Sequence, residues 1–222
     1  MKIVNNLIEG VTYKPSPNVG KGVNTRKYCV IHYTDTLSAS SAIGWMLSKE
    51  SSVSAHLHID RDGNIVQLVP FDNIAWHAGK SEWEGITGLN SHSIGIELSA
   101  TADSGYTDAQ ISKLIEVGKV LNATYKGIEY VGHSDIAPGR KTDPGKLFPW
   151  TAFRNGMADI TGVIVKHTSS DLNLRESAVN GKVISVLPKG TEVNVIDLGP
   201  KWSRIFVCSN KLTGFVSNKY LA

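Results

Sequence analysis

Cysteine is nearly missing from this chain of 222 residues. Cys29 and Cys208 are the two, one in each half, with neither the C-x-x-C spacing of a thiolate metal site nor the density of a disulfide framework. Both read as small core residues. No run approaches the roughly 20 apolar residues of a membrane span. Residues Met1 to Gly10 lack the apolar core and small-residue cleavage site of a secretory signal. The expectation is a chain made in the cytoplasm, without stable membrane association, that reaches any extracellular target by another route. No basic stretch is interleaved with aromatics, which argues against a nucleic-acid partner. Low-complexity linkers and a repeat shared between the halves are also missing.

What is present is an ordinary globular composition, 41% hydrophobic and 19% charged. The charge is polarised. Residues 161–222 hold eight Lys/Arg against four Asp/Glu, whereas residues 1–160 hold fifteen against sixteen. A basic C-terminal part suits an anionic polymer or surface, and a solvated face explains the same excess.

The first part alternates strand and helix patterns. Tyr28 to Thr34 is a β-type run with His32 near its end; Ala42, Ile43, Trp45, Met46 and Leu47 have helical spacing, with Ser38 or Ser40 as N-cap. Ser54 to Asp60 and Ile65 to Val69 flank the Asp62-Gly63 turn of a hairpin. Residues 72–92 form a Trp- and Gly-containing loop. Ser93 to Ser99 alternates, with Ile94, Ile96 and Leu98 on one face and Gly95, Glu97 and Ser99 on the other. Thr107 to Gln110 matches a capping box ahead of a helical stripe through Leu121. Ile128 to Val131 reads as a strand, and Pro149 to Ile160 as a closing helix. From Gly162 the texture changes to short β segments separated by turns such as Asn180-Gly181 and Gly199-Pro200. That is a small barrel, and it sets the boundary at 158 to 166, with domains over 1–160 and 161–222.

The chemistry concentrates in Tyr130 to Gly145. His133 and Asp143 stand ten positions apart in a stretch stiffened by Pro138 and Pro144, which can turn two distant side chains toward one point. Catalytic zinc needs three protein ligands and a water, so one further His completes the set. His32 is the candidate, although spacing alone leaves the choice among seven histidines open. With Zn²⁺ on His32, His133 and Asp143, amide hydrolysis also needs a base and a cation for the oxyanion. Glu97, the only charge in its strand, suits the first, and Lys141, two residues before Asp143, the second. His56 and His58 share a strand face and read as packing rather than as a second metal pair. Trp76 and His77 are candidates for substrate contact. Cys29 as a nucleophile is a weak rival, because an apolar strand disfavours the thiolate.

Five motifs in order, Ile31-His32-Tyr33-Thr34, Ser54-Ala55-His56 with Arg61-Asp62-Gly63, Ala75-Trp76-His77-Ala78-Gly79, Ser93-Ile94-Gly95-Ile96-Glu97-Leu98, and Gly132-His133 through Lys141-Thr142-Asp143-Pro144-Gly145, resemble the zinc-dependent N-acetylmuramoyl-L-alanine amidases of the type 2 family. That family includes phage lysins and peptidoglycan recognition proteins. The resemblance implies an α/β amidase domain with a central mixed sheet flanked by helices. It also implies cleavage of the amide between N-acetylmuramic acid and L-alanine in peptidoglycan. By position, His32, His133 and Asp143 match the zinc ligands, Glu97 the catalytic glutamate and Lys141 the catalytic lysine. Some phage members carry Tyr where Ala55 stands, so a tyrosine-assisted variant does not fit. Others carry Cys in place of Asp143.

Leu172-Asn173-Leu174-Arg175, Val183 to Val193, Trp202-Ser203-Arg204-Ile205 and Gly214 to Leu221 resemble a bacterial SH3 domain. In cell-wall hydrolases such a module implies tethering to peptidoglycan or to anionic wall polymers. The expected protein is a phage or prophage endolysin, released to the wall through a hole made by a separate lysis protein. A host autolysin and a non-catalytic recognition protein are the alternatives. The complete ligand set argues against the latter, and the barrel argues against a cytoplasmic muropeptide-recycling enzyme.

Overall fold

Six apolar and aromatic residues in a row favour a strand buried on both faces, and β1 (Tyr28–Tyr33) is one: Tyr28, Cys29, Val30 and Ile31 are fully buried. The computed structural model describes residues 1–157, 164–198, 201–207, 209–210 and 212–222. The chain divides into two compact units, Met1–Phe153 and Arg154–Ala222. The expected boundary at 158 to 166 falls largely on residues outside those described, as do Val163, the Gly199-Pro200 turn and Cys208.

After β1 the first unit continues with α1 (Ala39–Leu47), β2 (Leu57–Ile59), β3 (Ile65–Gln67), β4 (Ser93–Leu98), α2 (Asp108–Thr124), β5 (Glu129–Gly132) and α3 (His133–Ile136), and the division between the units at Phe153 falls within α4 (Trp150–Met157). Its sheet runs in the order β5, β1, β4, β2, β3, with the two-residue strand Thr12–Tyr13 at the far edge. The β5–β1, β1–β4 and β4–β2 pairs are parallel and the β2–β3 hairpin antiparallel, so the sheet is mixed. Ser38 caps α1 by accepting from Ser41 N at 3.2 Å. Thr107 and Gln110 cap α2 reciprocally, each bond 3.1 Å. Ile111, Leu114, Val117 and Leu121 of α2 are buried, and Ile43 and Met46 of α1 pack with Ala55, Leu68 and Ala75. The closing helix is described to Met157, and residues 158–160 lie outside.

The first 27 residues carry no strong periodicity, and the structure uses them as trim. Ile3–Val4 pairs with Leu7–Ile8, and Val19–Gly20 with Ile74–Ala75. The loop over residues 72–92 also contains short paired segments, Glu82–Trp83 with Ile86–Thr87. Such two-residue ladders are too short to leave a repeating pattern in sequence.

The second unit is an all-antiparallel six-stranded sheet: β6 (Ile164–His167), β7 (Leu172–Arg175), β8 (Val183–Leu187), β9 (Glu192–Leu198), β10 (Trp202–Val207) and β11 (Leu212–Ser217), in the order β6, β9, β10, β11, β7, β8. A Thr168–Leu221 bridge adds a further tie. Alternate residues turn inward, as Ser203, Ile205 and Val207 do on β10. Ile205 and Val207 join Leu172, Leu174, Leu187, Val193, Val195 and Val216 in one small core.

Candidate metal centre and its cleft

Parallel pairing sets the first half of the site. His32 on β1 and Glu97 on β4 are direct register partners, so both side chains leave the same face of the sheet. The second half is irregular. Ser134 N donates to the Asp143 carbonyl at 2.8 Å, which closes the intervening residues into a loop and brings His133 and Asp143 together. Gly132 is needed there, because a Cβ would lie 2.7 Å from Pro144 Cδ. His133 opens the short helix α3, whose start is satisfied by Gly132 N donating to Asp135 at 2.7 Å.

The three candidate ligands converge. His32 Nδ1 lies 3.0 Å from His133 Nδ1 and 2.9 Å from Asp143 Oδ2, and His133 Nδ1 lies 3.0 Å from the same oxygen. All three residues are buried. Ligand bonds of about 2.0–2.2 Å in a tetrahedral site would space donor atoms roughly 3.3–3.6 Å apart, somewhat wider than this triangle.

The donor chemistry supports a cation here. His133 Nε2 sits 3.1 Å from the Ala78 carbonyl, which only accepts, so a proton is on Nε2 and Nδ1 is the nitrogen turned to the common point. Arg140 Nη2 also approaches that nitrogen, at 3.4 Å, but donates to the Ala78 carbonyl at 2.6 Å. Burial lowers His32 to about 4, more than the hydrogen-bonded Asp143 raises it, so this ring is neutral at pH 7. Burial pushes Asp143 upward, but the close approach of the His133 and His32 rings outweighs it and holds the carboxyl well below the usual range. Two imidazoles and one carboxylate facing a common point fit a divalent ion of the zinc type.

Glu97 stands beside this cluster with Oε2 buried and without a hydrogen-bond partner. Burial raises its carboxyl to about 8; the Asp143 charge pushes the same way and Lys141 opposes both. Lys141 is exposed on the ligand loop. A cleft of about 480 Å³ contains all five residues and is walled in part by Trp45, Met46, Trp76 and Arg140.

The remaining candidates separate. His77 does not simply face the cleft: its Nδ1 is 3.0 Å from His32 Nε2, and burial keeps its ring neutral. His56 is structural, accepting from Gly95 N at 3.0 Å and donating to the Asn73 carbonyl at 3.0 Å. His58 bonds Ser99 Oγ at 3.0 Å. Trp83 bonds Glu129 at 3.2 Å, away from the cleft lining. Burial pushes the Cys29 thiol strongly upward, which removes it as a nucleophile. Sequence reasoning missed Arg140, which clamps the ligand loop to the Trp76–Gly79 segment by donating to Ala78 and Lys80 carbonyls at 2.6 and 2.7 Å. Gly79, at φ 58° against that guanidinium, was the available signal.

Fold and site together define an α/β domain with a buried His-His-Asp centre beside an unpaired carboxylate. The chain belongs to the N-acetylmuramoyl-L-alanine amidase family, whose model matches residues 23–146; a bacterial SH3 domain matches residues 170–222. It is 54% identical over 104 residues to 1,6-anhydro-N-acetylmuramyl-L-alanine amidase AmpD of Salmonella typhimurium, covering 46% of this chain and 56% of that protein. The match thus spans little more than half the length of that relative. Among solved structures, an AmpD crystal structure aligns at TM-score 0.63 and 34% identity, over 70% of this chain and 99% of that one. AmiD from E. coli, in complex with anhydro-N-acetylmuramic acid-L-Ala-D-gamma-Glu-L-Lys, aligns at TM-score 0.55 and 34% identity, over 68% and 60%. These relatives are bacterial amidases and lend no support to the expectation of a phage endolysin.

Proposed function

We propose that this protein is a zinc-dependent N-acetylmuramoyl-L-alanine amidase of bacterial wall turnover, acting on peptidoglycan or its muropeptides. The observation that carries this reading is the convergence of His32, His133 and Asp143 next to the unpartnered Glu97 in a chain of this family. A bound Zn²⁺ would polarise the scissile carbonyl and bring the pKa of a water toward about 7.

The protein's own groups supply the rest. Glu97 takes the proton of the attacking water and returns it to the leaving L-alanine amine; a carboxyl raised toward neutrality is matched to both transfers. Lys141 places its ammonium where the oxyanion develops. His32, His133 and Asp143 hold the ion, while Trp76 lines the cleft as an apolar surface for sugar or peptide. The domains proposed are catalytic over 1–160 and wall-binding over 161–222, the latter raising local concentration at the wall.

The names of the relatives favour anhydro-muropeptides as substrate, and the SH3 unit favours the polymer. Digestion of purified walls and of a soluble anhydro-muropeptide, with and without chelator, tests both. New L-alanine amino termini without new reducing sugars are expected, lost with chelator and restored by zinc. New reducing ends, or cleavage indifferent to metal removal, would sink the proposal.

A further inference from the structure

A line of side chains runs from Leu89 to the metal centre, and counting protons along it gives every bond a direction. Ser93 Oγ is 2.5 Å from the Leu89 carbonyl, which can only accept, so the hydroxyl proton points there. Ser93 Oγ and the Ser93 carbonyl lie 3.3 and 3.4 Å from His77 Nε2. With the hydroxyl proton committed elsewhere, both oxygens accept, and Nε2 carries the proton. In the neutral ring His77 Nδ1 is then the acceptor, and the atom 3.0 Å away, His32 Nε2, donates to it. With a cation on Asp143 taking the place of a proton, that leaves His32 Nδ1 as a lone pair on the side where His133 and Asp143 meet it; without the cation the Asp143 carboxylate, 2.9 Å away, competes for a proton on Nδ1.

The strand is cut to fit this ring. A Cβ at Gly95 would collide with His77 Cγ, so the imidazole lies against bare backbone between Ser93, its anchor, and Glu97. We infer that His77, held by Ser93 over Gly95, is a positioning residue that fixes His32 with its proton on Nε2 and its Nδ1 lone pair turned to the metal. This deepens the proposed function and rests on it only for the ligand role of His32. It also gives His77 a task other than contact with substrate.

The test uses the full chain labelled with ¹⁵N-histidine and measures both tautomer and zinc affinity. In the zinc-loaded protein His32 should be bound through Nδ1 and show a hydrogen-bonded Nε2–H. His77→Phe, which keeps a ring but removes the acceptor, should lose that signature and weaken zinc about 10–100-fold in competition with a chelator, as outer partners of ligand histidines do. His77→Gln, which offers an amide oxygen to His32, should recover most of the affinity. Gly95→Ala changes neither histidine and should weaken zinc in the same direction by displacing the ring. His32 bound through Nε2 in the zinc-loaded wild type, or undiminished zinc affinity in both His77→Phe and Gly95→Ala, would overturn the inference. A wild-type chain that passes these tests yet releases no L-alanine termini would overturn the proposed function and leave the inference standing.

Discussion

The two halves of the centre are held by different physics. His32 and Glu97 ride on neighbouring parallel strands, where ladder hydrogen bonds and burial on both faces fix their register. His133, Lys141 and Asp143 ride on an irregular stretch closed by the Ser134–Asp143 backbone bond, by Pro144 against Gly132 and by the Arg140 clamp. A sheet positions side chains through many repeated contacts, and a loop does so through a few. The loop half therefore tolerates fewer changes, while the strand half can aim a carboxyl that has no partner of its own.

Breaking the loop half should have the largest effect. Asp143→Ala removes the only anionic ligand, leaving two neutral imidazoles; zinc should be lost on dialysis and hydrolysis should fall to background, as read by bound metal and released L-alanine termini. Glu97→Gln strikes the strand half, and the comparison predicts a clean separation. Bound zinc should stay stoichiometric while kcat falls about 10²–10⁴-fold, the usual worth of a positioned base. Loss of metal in Glu97→Gln would show that the halves are not independent. Lys141→Ala should come next, lowering kcat about 10²–10³-fold with KM little changed, the size expected for one oxyanion partner.

The same contrast explains what the sequence could disclose. β1, β4 and α2 were legible because burial imposes a period: an apolar run, an alternation with Glu97 on the polar face, a capped stripe. His32 and Glu97 inherit their places from those patterns. The meeting of His133 with Asp143 was suggested by the Pro-stiffened stretch between them and made specific by the resemblance of the whole motif, since no periodicity records a loop that closes through the backbone of Ser134. His77 was read from the sequence only as a groove residue, and it does line the cleft. Its role depends on proton directions at Ser93 and on the space left by Gly95, two strand residues distant in sequence and visible only once β4 lies under the ring. The barrel was legible strand by strand from its turns, and residues 1–27 were not, because their ladders are two residues long.

The smallest effect expected concerns stability, and it also separates the halves. In the metal-free protein His32, His56 and His58 titrate near 4, below their ordinary 6.5, so the native state binds fewer protons than the unfolded chain between those values and gains stability as pH rises from about 4 to 6.5. Asp143, held low, acts in the same sense at lower pH: its contribution is complete above its unfolded value of 3.8 and is lost as the acid range is entered. Glu97 acts oppositely. Raised from 4.5 to about 8, it keeps its proton in the native state, and stability falls as pH rises through that window. The histidines outweigh it below 6.5, and above 6.5 it acts without them. Thermal unfolding of the metal-free chain should therefore show a maximum near pH 6.5 and a decline toward pH 8. Glu97→Gln should abolish the decline above 6.5 and leave the acid limb in place, whereas a decline that survives the substitution would mean that the strand half does not hold its carboxyl in the protonated form.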